Sequence, residues 1–263
     1  MNIAFCYLTD GRNDPFMRRL SMASLRRHCG DVPVYTATVA GLYKSACGEC
    51  VIDLIDEWRQ AFGNEKPGVI MPKPCNGFDA LTNVLFCKLL LPLSPVLAQY
   101  DSIVFLDDDI EVQNGDFMHM PPLQSDADLG MVPDTVMNMG QHRPTIETLP
   151  SSVSRMWPKS TYHTAAVLLH RPSWTPGYLA RVRACYEENR RHKLTFPEEM
   201  AANLFMRVQS LPETYAMVPE APSVNRVGRP IHEVRSSAAA HYGGPRKRAF
   251  IGEWAARYPE VKQ

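Results

Sequence analysis

Asp101–Val112 reads DSIVFLDDDIEV. Ile103, Val104, Phe105 and Leu106 form a short run of β-forming apolar residues, the pattern of a strand buried on both faces. The run ends in three carboxylates, Asp107, Asp108 and Asp109. A strand's side chains alternate, so Asp107 and Asp109 project to one face and Asp108 to the other. Two carboxylates on one face are costly unless positive charge lies between them. A hard divalent cation with oxygen ligands supplies that charge and keeps open positions for a phosphate-bearing ligand. Open α/β sheets bind ligands at the carboxyl ends of their strands, where this cluster lies. Taken alone, Asp-x-Asp also fits an acidic turn with solvated charges.

The flanking sequence alternates strand-like and helix-like segments. Asn2–Leu8 reads as a first strand, followed by a polar turn, Thr9–Asn13. Asp14-Pro15 then opens a helix, with Asp at the N-cap and Pro at the first helical position. Val32–Val39 is a second strand. Cys50–Phe62 shows helical spacing through Val51, Ile52, Leu54, Ile55, Trp58 and Phe62. Gly68–Met71 fits a short strand, and Asp79–Leu91 a strongly apolar helix. Lys88 is that helix's only cation, aimed either at solvent by snorkelling or at a ligand. Asp128–Val132 and Thr164–His170 read as strands and Trp174–Arg191 as an amphipathic helix. A further helix starts at Pro197-Glu198-Glu199. Tyr215–Val218 fits a strand and Phe250–Tyr258 a terminal helix. The expected fold class is α/β, with a mostly parallel central sheet flanked by helices. Without a sharp linker, residues 1–263 are expected to form a single domain.

Composition narrows the function classes. Lys plus Arg number 28, as do Asp plus Glu, so net charge is zero. That disfavours a general polyanion binder, and no nucleic acid is expected as partner. The N-terminus enters directly into a strand without a basic, then apolar, leader. The richest apolar stretch, Val84–Ala98, holds Lys88, Pro92 and Pro95 and is too short to span a bilayer. Seven cysteines in a chain of 263 residues read as reduced thiols of a cytoplasmic protein, at most peripheral to a membrane. There is no G-x-G-x-x-G and no Walker A loop.

A last cluster lies near the C-terminus: His241, Gly243, Gly244 and Lys247. Glycines let backbone N–H groups approach a phosphate closely, lysine adds a point charge, and histidine can ligate a metal. It also fits a basic surface loop.

Together these segments resemble glycosyltransferase family 8, retaining enzymes of the GT-A fold related to glycogenin and to bacterial lipopolysaccharide galactosyl- and glucosyltransferases. Phe86–Pro92 followed by Tyr100–Asp109 is similar to the family's aromatic-x-Arg-Leu-x-Leu-Pro and Asp-x-Asp strand. Leu129–Asp134 resembles the strand whose aspartate touches the donor sugar. Thr164–Leu169 before Trp174 resembles Asn-x-Gly-Val-x-Leu, and His241-x-x-Gly244-x-x-Lys247 matches the C-terminal motif. The resemblance covers nearly the whole chain. It implies Mn2+ (or Mg2+) on Asp107, Asp109 and His241, bridging the diphosphate of a UDP-sugar, with Asp108 beside them. Lys247, with Gly243 and Gly244, would hold the leaving diphosphate. Lys88 stands where the family has arginine near nucleotide and sugar, and Asp134 would bond the donor sugar, beside Thr164. Cys6, Tyr7, Leu8, Thr9 and Asp10 would form the strand end and loop that grip uridine. The implied halves are about 1–135 for the nucleotide and 136–263 for the acceptor and the C-terminal metal and diphosphate loop.

The implied reaction moves a hexose, with retention, to a hydroxyl acceptor on a glycan, lipooligosaccharide or protein. Glu198 or Glu199 could serve as nucleophile or stabilise a sugar cation, as carboxylates do in retaining glycosidases, or could simply complement a helix dipole. Several positions depart from the family: Arg248-Ala249 for Pro-Trp, Thr164 and Ala166 for Asn and Gly, and Glu198-Glu199-x-x-x-Asn203 for Asp-Gln-x-x-x-Asn. These departures keep a non-catalytic nucleotide-sugar or glycan binder on the same fold in view. A nucleotidyltransferase, which also uses paired aspartates and a metal, is a further alternative, though Tyr7-Leu8-Thr9-Asp10 is not the Gly-rich, basic phosphate loop it would need.

Overall fold

The computed structural model describes residues 2–9, 15–39, 49–65, 83–134, 161–173, 175–192, 197–220, 228–243 and 246–261. Strands β1 (Ile3–Leu8), β2 (Val34–Thr38), β3 (Cys50–Asp53), β4 (Ser102–Leu106), β6 (Leu129–Pro133), β7 (His163–His170) and β8 (Val208–Ser210) build one sheet. Its order is β3-β2-β1-β4-β7-β6-β8. All neighbours pair in parallel except β7, which runs against β4 and β6. Two short strands, β5 (Ile110–Val112) and β9 (Ala239–His241), form a separate antiparallel ladder.

The central strands are buried on both faces, as their unbroken apolar runs require. On one face Ala4, Cys6, Leu8, Ile103 and Phe105 join a core with Trp58 and Leu89. That core is covered by helices α2 (Ile55–Phe62), α3 (Cys87–Leu90), α4 (Tyr178–His192) and α5 (Pro197–Phe205). On the other face Phe5, Tyr7, Val104 and Leu106 pack with Met22 and Leu25 of α1 (Pro15–Cys29). A short α6 (Ile231–Arg235) precedes β9, and α7 (Arg246–Arg257) closes the chain. Trp254 and Phe250 of α7 pack with Phe16 and Leu20 of α1 in a third cluster.

Several expected elements differ. Cys50–Phe62 is not one helix: Cys50–Asp53 pairs with β2, from Tyr35↔Cys50 to Thr38↔Asp53, and only then does α2 begin. Pairing with an open strand overrides the helical spacing. Of Asp79–Leu91, residues 83–93 form a 3-10 turn, one α turn and a second 3-10 turn, which ends ahead of Pro95. Pro92 has no N–H to continue an α-helix. Tyr215–Val218 is no strand: Glu213–Tyr215 is a 3-10 turn and Met217 makes a single bridge to Ala240. Arg246–Arg248 belong to α7 rather than to a loop. The segment Gly68–Met71, the N-cap Asp14 and Trp174 lie outside the described residues. Among the described residues no helix is long and apolar enough to cross a membrane.

Candidate functional site

The site forms where β4 stops. Leu106 is the last ladder residue, and Asp107 N–H still bonds Ala166 C=O at 2.9 Å. The chain then turns, with Ile110 N–H bonding Asp107 C=O at 3.1 Å. Asp108 goes to the α1 face, where Arg18 clamps it through two bonds of 3.0 and 3.1 Å. Arg18 is fully buried, so this pair fixes the turn from beneath.

Asp109 meets residues brought by the second ladder. Ile110 pairs with His241, and Tyr242 N–H bonds Asp109 C=O at 3.0 Å. His241 Nε2 thereby lies 3.5 Å from Asp109 Oδ1. Lys247, in the first turn of α7, sets Nζ 2.9 Å from Asp109 Oδ2. Burial opposes ionisation of Asp109, but His241 and Lys247 outweigh it and hold its pKa below the usual carboxylate range. By the same pairing His241 is raised against the effect of burial.

Asp107 faces Lys88. Lys88 is 4% exposed; Nζ lies 3.0 Å from both Asp107 Oδ1 and Glu198 Oε1. Its ammonium also lies 4.9 Å over the Phe105 ring. Burial alone would lower the Lys88 pKa, yet Asp107 and Glu198 together raise it above the ordinary value. Burial raises Asp107, and Lys88 only partly offsets this.

An irregularity in β7 brings α5 to this point. The register with β6 jumps from Met131↔Leu168 to Val132↔Thr164, leaving residues 165–167 bulged. The Ala165 N–H bonds Glu199 Oε2 at 2.7 Å instead of a strand, and its carbonyl lies 3.5 Å from Lys88 Nζ. Glu199 also accepts from Tyr162 Oη at 2.5 Å and Thr164 Oγ1 at 3.1 Å. Burial pushes its pKa up to about 7 against those hydrogen bonds, with Glu198 and Asp134 adding to the rise. Glu198 keeps one buried oxygen, Oε2, without a hydrogen-bond partner among the described residues.

Asp107, Asp109 and His241 offer ligand atoms all within 4.8 Å of one another. Two carboxylate oxygens and one imidazole suit a manganese- or magnesium-like cation. Two local features fit such an ion. Asp109 Oδ1 is buried without a hydrogen bond among the described residues. A side chain at Gly243 would come within 2.8 Å of His241 Nε2, so glycine keeps that nitrogen clear.

Asp134 follows β6 at the same edge, and its charge acts on Glu199, His241 and Arg246. Thr9, at the end of β1, bonds Ala37 C=O through its N–H at 3.0 Å. Cys6 and Tyr7 are fully buried and Leu8 nearly so, their side chains serving the two cores rather than the site. Asp10 and Gly244 lie outside the described residues.

No family model matches the sequence, and no curated protein matches it. Solved structures do. The chain aligns with the galactosyltransferase LgtC, solved with donor and acceptor sugar analogues, at TM-score 0.57 and 14% identity, over 100% of this chain and 97% of that one. The fold is GT-A. The bifunctional glycosyltransferase WbbM gives TM-score 0.57 and 11% identity, over 99% of this chain and 50% of its own. Mouse xyloside xylosyltransferase 1 gives 0.53 and 10%, over 91% and 96%.

In this GT-A chain some site residues carried little signal. Arg18 is a cation within the buried face of α1, between Phe16 and Leu20, and that placement could have flagged it. Tyr162 precedes β7 without any pattern. The bulge at Ala165 leaves no mark in a run as uniform as TAAVLL.

Proposed function

We propose that this protein is a metal-dependent retaining glycosyltransferase that moves a hexose from a UDP-sugar to a hydroxyl acceptor, most simply a glycan. The observation that carries the reading is the convergence of Asp107, Asp109 and His241, with Lys247 beside them, at the carboxyl edge of a GT-A sheet. A divalent cation held by those three residues would supply charge stabilisation for a departing diphosphate.

The chain's own groups divide the remaining work. Lys247 offers a positive charge where negative charge grows on the leaving group, the interaction that most lowers such a barrier. Asp134 accepts hydrogen bonds from donor-sugar hydroxyls, with Thr164 nearby. Glu198 stays paired to Lys88 through one oxygen, and its second oxygen stabilises the oxocarbenium-like sugar. Glu199, with three donors on its carboxylate, holds the bulge and the start of α5 in position. The acceptor hydroxyl attacks on the face the diphosphate leaves and passes its proton to a leaving phosphate oxygen. Residues 1 to about 135 serve the nucleotide, and about 136–263 serve the acceptor and supply the C-terminal metal and diphosphate loop.

The test is calorimetric titration of UDP with manganese and with EDTA, beside an Asp109→Ala variant. Metal-dependent binding that the variant loses supports the site; UDP release from a UDP-sugar then establishes transfer or hydrolysis. Binding without release identifies a nucleotide-sugar binder instead. No UDP binding under any metal sinks the reading.

A further inference from the structure

A second constellation lies one turn along α5 from Glu199. His163 opens β7, and its ring lies between Asn203 of α5 and Ser210 at the end of β8. Nε2 is 2.7 Å from Ser210 Oγ, and Nδ1 is 3.2 Å from Asn203 Oδ1. The backbone fixes which way the Asn203 amide points. Its Nδ2 donates to the carbonyls of His163 at 2.8 Å and Glu199 at 2.9 Å. Its Oδ1 accepts from His163 N–H at 3.0 Å. Oδ1 is therefore an acceptor toward the ring as well, so Nδ1 carries the ring proton. Nε2 is left as a lone pair, and it accepts from the Ser210 hydroxyl.

Exposure follows the same division. His163 and Asn203 are 7% and 6% exposed, while Ser210 is open to solvent. Burial lowers the His163 pKa, which favours the neutral ring over the imidazolium. Among the described residues Ser210 also lies on the outermost strand of the sheet. Leu211 N–H bonds Met131 C=O at 2.9 Å, so by alternation the Ser210 N–H turns away from β6 toward the open edge. A backbone donor thus accompanies the hydroxyl.

We propose that Ser210, His163 and Asn203 form a nucleophilic site that accepts acyl groups from small activated esters, separate from the acidic site. Ser210 Oγ bonds the ester carbonyl carbon, and its proton passes to His163 Nε2. The ester C–O bond breaks, the leaving oxygen takes that proton, and Ser210 is left acylated. Water attacks the acyl carbon in turn, gives a proton to Nε2, and the carboxylic acid leaves as Ser210 regains it. The Ser210 N–H meets the oxyanion in both steps. Asn203 touches no substrate; it is a positioning residue that fixes the tautomer, the role asparagine plays in Cys-His-Asn sites.

The test uses the full chain and p-nitrophenyl acetate. Nitrophenolate release is followed, and the acylated residue is mapped by peptide mass spectrometry. The expected result is acetylation of Ser210, abolished in Ser210→Ala and slowed about a hundredfold in His163→Gln. Ser210 is exposed, so its alanine variant keeps the wild-type circular dichroism and loss of reaction is not loss of fold. Acetyl groups on lysine or tyrosine but not on Ser210 overturn the proposal. So does release that survives Ser210→Ala, and so does no acylation at all. Manganese-dependent UDP binding is unaffected by Ser210→Ala, so failure here leaves the transferase reading standing.

Discussion

Asp128 and Asp109 are both buried carboxylates at strand ends, and they are met in opposite ways. Asp128, just ahead of β6, accepts from Arg181 Nε at 2.7 Å, from Arg207 Nη2 at 3.1 Å and from Arg207 N–H at 2.9 Å. The Thr175 hydroxyl adds a further bond. Asp109 has one lysine at 2.9 Å, an imidazole at 3.5 Å and an oxygen without a hydrogen bond among the described residues. Guanidinium forks saturate a carboxylate, whereas an ammonium is a point charge that leaves lone pairs over. The saturated acid belongs to the architecture; the under-coordinated one is available to a ligand.

Breaking the first cluster should cost the most. Asp128→Ala leaves the largely buried Arg181 guanidinium and the Thr175 hydroxyl without their acceptor, while the more exposed Arg207 can turn to water, and is expected to lower unfolding free energy by about 2 kcal/mol in urea titrations. Manganese affinity of the folded fraction should not change. A loss near zero would mean that saturation is not what distinguishes the two acids.

Asp109→Ala should show the reverse. Stability is expected to stay within about 1 kcal/mol, because Lys247 is 42% exposed and can turn to water. Manganese affinity should fall at least a hundredfold by calorimetry, since lost second-shell partners alone cost about 10–100-fold. Equal loss of stability and metal binding would erase the contrast.

The pH dependence separates the acids further. Burial works against Asp128, but bonds from Arg181, Arg207 and Thr175 hold its pKa at about 2, below its ordinary 3.8. Its contribution is present above pH 3.8 and lost as pH falls through about 2. Glu199 has the opposite sign: burial raises it from 4.5 to about 7. The stability it contributes is full below pH 4.5 and lost as pH rises through about 7. Glu199→Gln should remove that slope in denaturation midpoints measured between pH 4.5 and 7. It should also keep transfer, because the amide oxygen can still accept from the Ala165 N–H and the Thr164 hydroxyl while the amide NH2 donates to Tyr162, whose hydroxyl reverses its bond. A lost rate with an unchanged slope would make Glu199 a reacting group.

A pH effect remote from both acids is expected at His170, which is fully buried with no side-chain partner for either ring nitrogen among the described residues. Burial lowers its pKa from 6.5 to about 3, with the Lys88 backbone offsetting this in part. Unfolding releases a base, so stability falls as pH drops from 6.5 toward 3. His170→Gln should flatten the urea midpoint across that range.

Much of this was legible in the chain. The apolar runs of β1, β4 and β7 announced buried strands because both faces of the sheet are covered. Asp107, Asp109, His241 and Lys247 could be singled out as candidates because cation and phosphate chemistry draws on few residue types, and the fold brings them together. Cys50–Asp53 was misread because its apolar spacing continues into α2 and suits either element. The lysines were legible only in part: positive charge between the aspartates was expected from an ion, and Lys88 and Lys247 already supply some of it. Nothing local records which helix end approaches which strand end, so the pairing of Lys88 with Glu198, and of Arg18 with Asp108, waits on the fold.

The bulge in β7 has a mechanical consequence. It frees one peptide plane from the ladder, with the Ala165 N–H on Glu199 and, just beyond that plane, the Ala165 carbonyl toward Lys88. The peptide units on either side are rigid. Through that one residue the first turn of α5, which carries Glu198 and Glu199, and the lysine paired with Asp107 share the same stretch of backbone.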